Sequence, residues 1–111
     1  MQTNILTSGF PHGFTKAFIT AVEQSLDRRD RFVFVASDFR VHDRTAYYLD
    51  RFLGTFREQG IVFGEAHIVD YECTPEQASA WIADADLVWL AGGPTLTQIA
   101  HICEYGLIEP L

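Results

Sequence analysis

Short apolar runs alternate with longer amphipathic segments along this chain, and the pair occurs four times. The short runs are Asn4-Ile5-Leu6-Thr7, Phe32-Val33-Phe34-Val35-Ala36, Glu65-Ala66-His67-Ile68-Val69-Asp70 and Asp86-Leu87-Val88-Trp89-Leu90-Ala91. Alternation of this kind, with short connections, predicts an α/β fold: a parallel sheet flanked by helices on both faces. The run 32–36 is apolar without interruption, which suits a strand buried on both faces. The run 65–70 is more polar and reads as an edge strand. The expected architecture is three-layered and four-stranded, with strand order 3-2-1-4 and a switch point between the first and fourth strands.

The intervening segments carry helical signals. Phe14, Ala17, Phe18, Ala21, Val22, Ser25 and Leu26 recur at helical spacing, as do Thr45, Tyr48, Leu49, Phe52, Leu53 and Phe56. Gly60 stands where a C-terminal cap belongs. Thr74-Pro75-Glu76-Gln77 is a helix start, with Thr as cap, Pro in the first turn and Gln three residues on. Ala78, Trp81, Ile82 and Ala85 supply that helix with a buried stripe. The last helix places Leu96, Ile99, Ala100 and Cys103 on one side and stops at Gly106.

The 111 residues suffice for one domain, 1–111, and 48% of them are apolar, so a true core is expected. Eight basic against 15 acidic residues give a net charge of −7, which argues against a nucleic-acid partner. No apolar run reaches the roughly 18 residues of a membrane span, and the first residues lack the basic start of a signal peptide. Two cysteines, Cys73 and Cys103, are too few for a disulfide scaffold, so a cytoplasmic setting is expected. Four scattered histidines, His12, His42, His67 and His101, show no metal-ligand spacing, and neither a metal nor another cofactor is expected.

In sheets of this type ligands bind beyond the carboxyl ends of the strands. Four loops meet there, carrying Ser8 to Gly13, Ser37 to Phe39, Asp70 to Tyr71, and Gly92 to Thr95. Gly92 and Gly93 let backbone approach a ligand, and a following helix N-terminus favours an anion or oxyanion. Gly-Gly-Pro is also ordinary turn chemistry, and the sequence leaves both readings open. Ser8, Ser37 and Asp38 are the expected pocket lining. The chain has no P-loop, no dinucleotide fingerprint and no Gly-x-Ser-x-Gly elbow. A triad assembled from Ser8 or Ser37 with His12 and Asp38 is outweighed by their roles as loop and cap residues. His42-Asp43-Arg44 reads as a solvated helix start, His67 as a partly exposed strand residue, and Cys103 as a core residue.

Ile5-Leu6-Thr7-Ser8-Gly9-Phe10, Phe34-Val35-Ala36-Ser37 and Leu87-Val88-Trp89-Leu90-Ala91-Gly92-Gly93-Pro94-Thr95 together resemble the peptidase E family of the class I glutamine amidotransferase-like superfamily. The resemblance covers nearly the whole chain but only the first half of a full family member, and the fourth-strand motif is its most specific part. It implies a flavodoxin-like fold and kinship to serine hydrolases that act as dipeptidases. It also implies that Gly92 and Gly93 match the glycines of an oxyanion loop. Pro94 stands where asparagine is usual and has no N–H to donate. The family's serine elbow and histidine come later than Leu111. No catalytic residue is therefore assigned, and a truncated relative without hydrolase activity of its own is expected. The alternative is a small anion- or metabolite-binding or oligomerising α/β module, and a small anionic or peptide ligand is the expected partner. An apolar fourth strand at the sheet edge predicts a cover over residues 86–91, from a homodimer or from a missing C-terminal segment.

Overall fold

A computed structural model describes residues 15–26, 28–92, 95–109 and 111. The described elements are α1 (Lys16–Ser25), β1 (Arg31–Val35), α2 (His42–Glu58), β2 (Glu65–Val69), α3 (Pro75–Asp84), β3 (Leu87–Leu90) and α4 (Thr95–Glu104). The expected strand 4–7 lies outside the described residues.

The described strands form a parallel sheet in the order β2-β1-β3. Phe32 pairs with Ala66 on one side and Leu87 on the other, and Val35 pairs with Val69 and Leu90. The expected order placed the first strand between the second and the fourth. The direct pairing of β1 with β3 corrects that order, because no strand fits between partners already hydrogen-bonded. Strand-order preferences are set by pairings distant in sequence, which local patterns do not encode.

The uninterrupted apolar run behaves as its composition requires. Phe32 to Ala36 are all fully buried. Phe32 and Phe34 pack with Ile19 and Val22 of α1, Leu49 and Phe56 of α2, and Ile61. Val33 and Val35 point the other way, against Ala78 and Ile82 of α3 and Ile102 of α4. The period-two alternation of a strand thus splits one run between two cores and fixes three layers. At the amino end, Asp86 Oδ2 accepts the N–H groups of Asp30 and Arg31 at 2.9 and 3.0 Å, pinning β3 to β1.

The helix ends follow local chemistry. Thr74 accepts the Gln77 N–H at 3.1 Å while the Gln77 side chain accepts the Thr74 N–H at 2.9 Å, a complete capping box. Gly60 adopts φ +83 after α2, where its N–H reaches the Arg57 carbonyl and that of Ile61 reaches the Phe56 carbonyl. A side chain there would be strained, which explains the glycine.

α4 is rotated from expectation. Its buried residues are Gln98, His101 and Ile102, whereas Leu96 is 84% exposed, and Ile99 and Cys103 also face outward. The reason is polar: Gln98 and His101 satisfy backbone groups at the strand ends, described below, and those bonds outweigh the apolar stripe. Among the described residues, no helix is long and apolar enough to cross a membrane.

Candidate functional site

The three parallel strands deliver their following residues to one edge. Beyond β1 the chain runs through Ala36, whose N–H donates to the Val69 carbonyl, into the turn of Ser37, Asp38 and Phe39. Beyond β3 the Ala91 N–H donates to the Val35 carbonyl at 2.9 Å and leads into Gly92. Ser37 and Gly92 therefore follow neighbouring strand ends. Ser8, His12, Gly93 and Pro94 lie outside the described residues. A Cβ added at Gly92 would meet no atom within 4 Å. Among the described residues, then, packing gives no reason for that glycine.

Gln98 closes this edge from above. Its Nε2 donates to the carbonyls of Ala91 at 2.9 Å and Ala36 at 3.3 Å, with Val35 at 3.5 Å. The Ala91 and Ala36 carbonyls lie just past β3 and β1, where the sheet ladder has run out, so one side-chain amide replaces their missing partners, while the Val35 carbonyl keeps the Ala91 N–H. His101 does the same for the turn. Its Nδ1 accepts the Phe39 N–H at 3.2 Å, which puts the proton of the neutral ring on Nε2. The ring lies 4.9 Å from that of Phe39, and Tyr105 meets Phe39 edge-on. His101 is thereby committed to holding the turn.

Asp38 is committed as well. Its two carboxylate oxygens accept Arg40 Nε at 2.9 Å and Nη2 at 2.7 Å, and Oδ1 also accepts the Arg40 N–H. The Arg40 guanidinium holds the Asp38 carboxyl well below the usual carboxylate range. Among the described residues, no serine hydroxyl or cysteine thiol is hydrogen-bonded to a histidine. The Cys73 thiol donates to the Asp70 carbonyl instead, and burial pushes its pKa up, away from the reactive thiolate.

A histidine–carboxylate pair at this edge is not singled out by the sequence. Asp70, fully buried just past β2, has Oδ2 2.6 Å from Nδ1 of His42 in the first turn of α2. Its Oδ1 accepts the Glu72 N–H at 2.9 Å. The hydrogen bond to Asp70 raises the His42 pKa above its ordinary value. His42, expected to be a solvated helix-start residue, is instead anchored at one ring nitrogen, with its side chain still 39% exposed. A signal is available: β2 ends at Val69, so Asp70 belongs to the carboxyl edge of the sheet, as does any residue opening α2. Nothing local linked the two, because 28 positions separate them.

The other histidine cluster sits at the opposite end of the sheet. His67 stacks flat on Trp81, with centroids 4.3 Å apart and planes 6° apart, and its Nε2 lies 3.3 Å from Glu65. A cavity of about 320 Å³ lined by these three residues with Arg31 and Asp84 opens there. The arrangement matches a partly exposed structural histidine. Comparison with protein-family models, with curated proteins and with solved structures finds no match to this chain.

Proposed function

We propose that the chain is a peptidase E-like α/β domain that forms the strand-end rim of a hydrolase-type site without cleaving peptides itself. The observation that carries this reading is the junction of β1 and β3. Their parallel pairing sets the Ser37 turn beside the Gly92 turn, and the Gln98 amide ties both strand ends together. That is the edge at which ligands of such sheets bind. Around it, Asp38 is engaged by Arg40 and His101 by Phe39, so neither is available to activate Ser37. Gly92 and Gly93 are the backbone donors assigned to a peptide carbonyl in this reading. Incubation with Asp-X dipeptides, followed by amine detection, is the test. The dipeptides remain intact under this proposal, and turnover above a buffer blank refutes it.

A second reading, self-association through β3 and α4, is favoured by one observation. Leu90, Leu96 and Ile99 are large apolar residues exposed on consecutive elements. A homodimer is the expected species in light scattering at high concentration, and a monodisperse monomer there refutes the idea. A free-anion module draws less support, because Asp70 and Glu72 add negative charge to the rim beside the Asp38–Arg40 pair.

A further inference from the structure

The His42–Asp70 pair goes beyond the rim described so far. Among the described residues, Asp70 is the one fully buried acidic residue, and both its oxygens are occupied. The Glu72 N–H fixes the plane of the carboxylate, and the carboxylate in turn fixes the imidazole through Nδ1. The second ring nitrogen, Nε2, has no hydrogen-bond partner among the described residues, and the ring is open to solvent. A carboxylate that binds Nδ1–H leaves the Nε2 lone pair facing outward, which is the arrangement a general base needs.

We propose that His42 and Asp70 form a proton-transfer dyad at the carboxyl edge of the sheet, acting on a water molecule that attacks a small activated ester. The Nε2 lone pair of His42 takes one proton of the water as its oxygen bonds to the ester carbonyl carbon. The carbonyl π pair moves onto its oxygen as that bond forms and returns as the carbon–oxygen bond to the alcohol breaks, and the alkoxide or phenolate leaves with the bonding pair. The proton on Nε2 returns to solvent or to the leaving oxygen. Asp70 touches neither reactant. It is a positioning residue that holds Nδ1–H and balances the imidazolium. The charged groups bearing on His42 are Asp70 and Glu72 from the segment after β2 and Asp43 from its own helix. All three favour the protonated ring and hold its pKa above the ordinary histidine value.

The probe is p-nitrophenyl acetate with the full chain. Phenolate release is expected to rise with pH through one inflection above 6.5, the ordinary histidine value. His42→Gln should lower the rate on the order of 10²-fold, the lower end of general-base contributions. Asp70→Asn should lower it as well and move the inflection downward, with an amide NMR spectrum showing that the variant is folded. Should Asp70→Asn unfold, the exposed His42→Gln variant decides the matter together with ¹⁵N NMR of the wild-type ring. The expected neutral ring carries its proton on Nδ1. A His42→Gln variant as fast as wild type, or a neutral ring protonated on Nε2, overturns the proposal. An amide has a far poorer leaving group, so this outcome is independent of whether Asp-X dipeptides are cut.

Discussion

Replacing Gln98 by methionine isolates what the amide does at the strand ends. The volume and chain length are nearly kept, so packing changes little and the lost hydrogen bonds dominate. Nε2 has two hydrogens and three carbonyls within reach, at 2.9, 3.3 and 3.5 Å. The longest, to Val35, is expendable, because that carbonyl keeps the Ala91 N–H at 2.9 Å. The Ala36 carbonyl belongs to a fully buried residue, and stranding it costs about 1–3 kcal/mol. Ala91 is half-buried, so water recovers part of its loss, leaving about 0.5–1 kcal/mol. The expected destabilisation is about 1.5–4 kcal/mol, or roughly 6–16 °C in Tm at about 4 °C per kcal/mol for a domain of this size. Urea unfolding followed by the fluorescence of Trp81 and Trp89 measures it. Glu23→Gln, at an exposed position on α1 away from β3 and α4, is the control and should change stability by less than about 0.5 kcal/mol. A Gln98→Met variant within that same margin of wild type would refute the reasoning.

Phe56 is fully buried, with ring centroids 5.8–6.3 Å from those of Phe18, Phe32, Phe63 and Trp89, so Phe56→Ala should cost about 3–5 kcal/mol in urea unfolding. Thr74→Ala removes half of the capping box and should cost about 1 kcal/mol by the same measurement. Stability should also follow the two paired groups with pH. His42, raised above 6.5 by Asp70, contributes fully below that value, and its contribution is lost as pH rises through the folded-state pKa. Asp38, depressed below 3.8 by Arg40, contributes above that value, and its contribution is lost as pH falls toward the folded-state pKa. Melting curves from pH 3 to 9 should therefore show an alkaline slope that His42→Gln flattens and an acid slope that Arg40→Gln reduces.

The parts of the fold legible in the sequence are those governed by neighbours along the chain. The β-prone run 32–36, the Thr74 capping box and the Gly60 terminus each rest on contacts within a few residues, and each takes the form its chemistry dictates. The strand order was not legible, because the β1–β3 pairing joins residues more than fifty positions apart, such as Phe32 with Leu87. The face of α4 was not legible for a related reason. Apolar periodicity favoured Leu96 and Ile99, but Gln98 and His101 had strand-end and turn backbone groups to satisfy. The same limit applies at the site. Strand counting alone puts Ser37, Asp38 and Gly92 after the carboxyl ends of β1 and β3. Which of them is engaged, and that His42 meets Asp70, depend on how a helix start and a strand end come together in space.

The claim on which the rest depends is that this rim presents a ligand-facing edge without an activated serine. A fluorophosphonate, which labels only serines activated by a base, tests it directly when followed by intact-mass spectrometry of the purified chain. The expected spectrum shows the unmodified mass alone after prolonged incubation at neutral pH. A stoichiometric adduct that maps to Ser37, or to any other serine of the chain, would contradict the account.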